Sequence, residues 1–310
     1  MRYLTPLVIL AAALLAGCGD RQPYVTGERL DRGLVVVLTG IEGRSKLNND
    51  IARGLDAGGV DWAIEVRDWT SSLGPLYTLK AASRNRAEAR KLADRIIRYQ
   101  WSHPGRPVVL VGQSGGAAIA AWTAEAMPYD QRIDGIVMIA GALSPAYQLD
   151  AALGNSRRGI ANFYSARDWV LLGAGTTITG TMDGAHTSAS GRVGFEQPTD
   201  PPRPRLYSKL FQVAWNPQMS QTGHIGLHLS SGAEQFVARY VAPLVVSEQW
   251  NSEVVSRVID GTWQRQANWP TAGPAWTSRQ PDERTPEPEA KPPAEPQPAM
   301  PPSRPDLARP

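Results

Sequence analysis

Six short apolar runs, spaced out by helical patterns, constrain the fold of this chain more than any other feature. They are GLVVVLT (33–39), WAIEV (62–66), PVVLVG (107–112), IDGIVMIA (133–140), GIANFYS (159–165) and KLFQVAW (209–215). The first is an unbroken β-branched run, as strands buried on both faces show. Between the second and third runs, Ala89, Leu92, Ala93, Ile96 and Ile97 recur at i, i+3, i+4, i+7 and i+8, which predicts an amphipathic helix over 83–99. A small-residue helix is expected over 115–126, and a closing helix over 233–242, stopped by Pro243. Strands alternating with helices imply an α/β fold: a mostly parallel, doubly wound sheet with right-handed crossovers. The chain is 42% hydrophobic and 20% charged, and its region 33–268 can bury a core of its own.

The two ends are of another kind. Residues 1–17 carry Arg2 and an apolar run over 7–15, too short to span a bilayer and suited to a signal peptide. Leu15-Ala16-Gly17-Cys18 resembles a bacterial lipobox, and Cys18 is the only cysteine in the chain. The resemblance implies a lipidated Cys18, a bacterial envelope location and a membrane partner. Gly19 weakly favours the outer membrane, facing the periplasm. Residues 18–32 then read as a linker whose fourteen residues after Cys18 reach at most about 50 Å. Residues 269–310 are rich in Pro and charge with no apolar face, and read as a disordered tail in which a cell-envelope contact is a purely compositional idea.

Composition also excludes classes. Net charge is +3 with no Lys/Arg cluster, so nucleic-acid binding has no electrostatic footprint. A single cysteine excludes an internal disulfide and a cysteine zinc site. His224 and His228 lack a His-Glu-x-x-His pattern, and no metal or other cofactor is expected.

Gly112-Gln113-Ser114-Gly115-Gly116 fits G-x-S-x-G and sits where a strand hands over to a helix. Glycines two before and two after Ser114 permit a tight turn that lifts the hydroxyl above the sheet at a helix N-terminus. A serine needs a base, and the base needs an acid. His103 lies at the wrong edge of the sheet, and His186 lies in an irregular segment. His224, between Gly223 and Gly226 and a loop length past the sixth strand, is the expected base; His228 reads as a packing or surface residue. Asp168, just past the fifth strand, is the expected acid, with helix capping as its bland reading and Asp183 as the alternative acid.

In these residues the chain resembles the α/β-hydrolase fold, over nearly all of 33–243. Ser114, Asp168 and His224 follow that family's order of nucleophile, acid and histidine. The resemblance implies an oxyanion hole from the Gly115 amide plus one from Thr39-Gly40-Ile41-Glu42-Gly43, with Ile41 the first choice and Gly40 the second. This loop departs from the His-Gly-Gly-Gly pattern of many lipases, and the family's first two strands are absent or worn down.

Two functions follow. One is a membrane-anchored serine hydrolase that cleaves a carboxylic ester or thioester of a small-molecule or lipid-like acyl substrate. The other is a non-catalytic envelope lipoprotein that uses the scaffold for binding or assembly. The Gly/Thr/Ser-rich segment 176–205 is too long for a simple connection and is expected to gate the pocket.

Overall fold

A computed structural model describes residues 22–128, 130–169, 175–198 and 204–265. The readings of residues 1–17 as a signal peptide, of Cys18 as a lipid anchor and of residues 269–310 as a tail lie outside the described residues.

Every apolar run becomes a strand: β1 Leu34–Leu38, β2 Ala63–Arg67, β3 Val108–Gln113, β4 Gly135–Ile139, β5 Ile160–Tyr164 and β6 Leu210–Ala214. They form one open sheet in the order β2-β1-β3-β4-β5-β6, and all five pairings are parallel. The continuous apolar character of β1 has a direct cause. Leu34, Val36 and Leu38 enter the core on one face, and Val35 and Val37 enter the core on the other.

Helices close both faces. α1 (Lys46–Ala57) packs on the face of Val35 and Val37, while α2 (Ala82–Ser102) and α3 (Gly115–Glu125) pack on the opposite one. The periodicity of α2 is borne out, since Ala89, Leu92, Ala93 and Ile96 are all buried. α1 went unread because its apolar positions, Leu47, Ile51 and Leu55, are sparse among polar neighbours. Its start is fixed by a reciprocal capping box between Ser45 and Asn48. α4 (Ser252–Asp260) closes the described chain.

Three expectations are corrected. Pro243 does not stop the closing helix, which runs Glu234–Phe236, Val237–Val241 and Ala242–Val246 without a break. The middle stretch widens into a π-turn, and Pro243 then falls in the first turn of the last piece, where a missing N–H costs little.

Residues 22–32 are not a free linker. Gln22 exchanges two hydrogen bonds with the Val66 backbone, the Ile64 amide donates to Tyr24 O, and Arg29 pairs with Asp56. The segment is docked along the edge strand β2.

The segment 176–205 is not a loose flap over its described length. The Met182, Ser190 and Gly191 amides donate to Ala142, Leu143 and Gly141 just past β4, and the Ser165 amide donates to Gly191 O. Met182, Ala189 and Phe195 are buried.

Candidate active site

Ser114 sits between β3 and α3 with φ 53° and ψ −119°, a backbone conformation that costs a non-glycine residue on the order of 1–3 kcal/mol. The surroundings hold it there. Its amide donates to Ile139 O, and its carbonyl accepts from the Ala117 and Ala142 amides. The flanking glycines are required by close approach. A Cβ on Gly112 would lie 2.5 Å from Gly116 O, and one on Gly116 would collide with Leu38 O and lie 2.6 Å from Thr39 O.

Gly115 is the first residue of α3, so its amide has no intrahelical acceptor. A Cβ there would lie 2.7 Å from Ile41 Cγ2, so the loop after β1 and the start of α3 are in contact beside Ser114. The structure thus brings Ile41, Gly115 and Ser114 together. Gly40, the second choice for the oxyanion hole, faces the Glu42 carboxyl group and Gln113 instead.

Asp168 is 3% exposed just past β5, and its Oδ2 accepts from His228 Nδ1 at 2.8 Å. The expectation that Asp168 orients His224 is therefore corrected: its partner is His228. His224 turns away, with Nδ1 3.1 Å from Ser230 Oγ and its ring packed 4.6 Å from Phe236. The reason lies in Gly226, whose φ of 88° bends the loop back toward β5. Ser165 Oγ donates to Gly226 O at 2.7 Å, which pins the loop beside Asp168 and delivers His228 two residues later.

His228 Nε2, on the other side of the ring, is 3.3 Å from Gln113 Nε2, in the residue that precedes Ser114. With Nδ1–H given to Asp168, Nε2 carries the lone pair of a neutral ring. Burial pushes the His228 pKa down, but the hydrogen bond and charge of Asp168 and the charge of Glu42 outweigh it and leave it above the ordinary value. Burial dominates at His224 and lowers its pKa to about 4.

The remaining candidates lie elsewhere. Asp183, the alternative acid, accepts from Ser144 and Thr181. His103 stacks on Tyr99, and His186 is exposed with Nδ1 3.3 Å from Thr177 O. Sequence reasoning missed His228, Gln113 and Glu42. Both His224 and His228 are buried, and Gly226 between them, with φ 88°, is the one local mark that their surroundings differ.

No protein-family model and no curated protein sequence matches the chain. Solved structures with a similar course include a dienelactone hydrolase-like promiscuous phosphotriesterase from metagenomic libraries (15% identity, 74% of this chain and 82% of that one, TM-score 0.35). Aspergillus fumigatus lipase B shares 10% identity over 81% of this chain and 63% of its own, with a TM-score of 0.45. A Trichoderma reesei cutinase in complex with a phosphonate inhibitor shares 12% identity over 75% of this chain and 77% of its own, with a TM-score of 0.32. Such low scores leave the functional reading to the chain's own residues: an acid–histidine couple that fits a triad, set against a strained serine turn.

Proposed function

We propose that this chain is a serine hydrolase of the α/β-hydrolase type that cleaves carboxylic ester or thioester bonds through an acyl-enzyme. The supporting observation is the 2.8 Å His228–Asp168 couple, whose other ring nitrogen lies 3.3 Å from Gln113 Nε2, in the residue before a serine held at φ 53°. Ser114 Oγ attacks the acyl carbonyl carbon while His228 Nε2 takes its proton. Asp168 keeps Nδ1–H in place and stabilises the imidazolium. The Gly115 and Ile41 amides receive the oxyanion, each worth about 3 kcal/mol in the transition state. The imidazolium then protonates the leaving group. Water, activated by the same nitrogen, releases the acid and restores Ser114.

The test is covalent labelling with a fluorophosphonate. Wild type labels at Ser114, while Ser114→Ala does not label and loses esterase turnover by roughly a millionfold. Ser114→Ala that labels at the wild-type rate removes this serine from the mechanism, and a folded wild type that never labels returns the chain to a binding or assembly role.

The same reading places the enzyme on a bacterial membrane, facing the periplasm, through lipidated Cys18. Cys18→Ser then ends incorporation of labelled fatty acid; labelling that survives the change removes the anchor.

A further inference from the structure

Large apolar side chains are not spread evenly over the surface. Among the described residues ten are exposed, and eight of these stand at the end of the sheet where the strands finish and Ser114, Asp168 and His228 lie. Past the edge strand β2 come Leu73, which is 71% exposed, then Leu76 and Tyr77 on the short helix Pro75–Lys80. Ile178 is two residues from Gly180, where an added Cβ would lie 3.2 Å from Lys80 Nζ. Past the opposite edge strand, β6, Ile225, Leu227 and Leu229 alternate with His224, Gly226 and His228; the first set faces out and the second turns in. Trp169, next to Asp168, is exposed as well. Trp101, in the last turn of α2, stands at the other end, where β3 begins.

Both groups are held outward by hydrogen bonds. Arg84 donates to the carbonyls of Trp69 and Thr70, and the Ser71 amide donates to the buried Thr78 Oγ1, which braces the turn that carries Leu73. Across the sheet, the Leu227 amide donates to Ser230 Oγ, which donates back to Leu227 O. Apolar side chains scattered singly over a surface need no partner, but ones gathered at one end mark a contact face. The chain leading into the domain joins at this end too. Gln22, the first described residue, exchanges hydrogen bonds with Val66 at the carboxyl end of β2, and Cys18 stands four positions before it in the sequence. We propose that this end of the molecule is a membrane-docking face, on which the groups at 73–77 and 225–229 enter the headgroup–acyl boundary of a lipid bilayer, one on each side of the triad. A bilayer is apolar across the whole distance between two sheet edges and demands no matching shape. Leucine and isoleucine beside Tyr77 and Trp169 are the residue types that settle in its boundary layer.

The docking face rests on the triad reading only for its place around the site, and fluorophosphonate labelling of Ser114 decides that reading separately. The test uses the full-length chain with Cys18→Ser, which removes the only thiol and with it any lipidation, so the anchor reading has no part in the outcome. Leu73→Cys, Leu229→Cys or Trp101→Cys is added singly and labelled with a nitrobenzoxadiazole fluorophore. Vesicles of phosphatidylethanolamine and phosphatidylglycerol are then mixed in. Labels at positions 73 and 229 are expected to shift to the blue and brighten about twofold or more as they leave water, while the label at 101 keeps its spectrum. Silence at 73 or at 229, or a label at 101 that responds as they do, overturns the proposal. A blue shift that needs no vesicles and grows with protein concentration also overturns it, since a second copy of the chain then covers the face. Should Leu229→Cys not fold, Ile225→Cys reports from the same side.

Discussion

The turn between β3 and α3 and the loop after β6 each bring one group to the proposed triad. In the first, the pentapeptide itself supplies the residues that the crowding requires. Gly112 and Gly116 clear space for the backbones of α3 and β1, and Ser114 is tied to Ile139, Ala117 and Ala142. In the second, a residue 60 positions away decides the outcome, because Asp168 selects His228 and Ser165 fixes the bend at Gly226. A five-residue motif can encode a turn. It cannot encode which of two histidines meets a carboxylate on another strand.

That contrast can be broken at several points. After removal of Ser114 itself, the largest effect belongs to Asp168→Asn, which keeps the shape but supports the wrong imidazole tautomer. It should lower kcat by about 10⁴ with unchanged circular dichroism. Turnover within tenfold of wild type would reduce Asp168 to a structural role.

Gly116→Ala breaks the other region by pushing a methyl group into Leu38 O and Thr39 O. Backbone cannot yield as a flexible side chain can, so roughly 2–4 kcal/mol of stability should be lost in urea unfolding. An unchanged midpoint would mean the elbow is less tightly fitted than described.

Gly226→Ala sharpens the comparison, since it strains a left-handed residue and meets Arg167 Cδ 2.9 Å away. About 1–3 kcal/mol of stability should go, with kcat falling more than KM rises as His228 is displaced. An equal loss of stability with kcat intact would detach the bend from the base.

The smallest effect is that of Ser165→Ala. Losing its hydrogen bond to Gly226 O should cost about 1 kcal/mol and a few-fold in kcat, read by the same unfolding and turnover assays. A gain in stability would deny that this bond pins the loop.

Most of the fold was legible because burial on both faces writes itself into sequence. All six strands lie on the apolar runs, β2 and β3 each reaching one residue past the end, α2 carries the expected spacing and α3 the expected small residues. α1 was missed because a capping box and three spaced aliphatic residues are a weak pattern, and the closing helix was cut short because a π-turn leaves no sequence mark. Of the candidate site, Ser114, Gly115 and Asp168 could be named from motif and strand ends, and Ile41 only through the family resemblance. His228 was not, nor was the fastening of 180–195 to β4 and β5, because both depend on long-range contacts that periodicity does not report.

The most direct test of the central claim is the acid limb of kcat/KM on a small p-nitrophenyl ester. A general base works only unprotonated, so activity falls as pH drops through its pKa. Asp168 and Glu42 raise the His228 pKa above the ordinary histidine value of about 6.5, whereas burial lowers that of His224 to about 4. The triad built on His228 predicts a midpoint above about 6.5, unchanged in His224→Gln. A midpoint near 4, abolished with activity in His224→Gln, would make His224 the base and contradict the assignment.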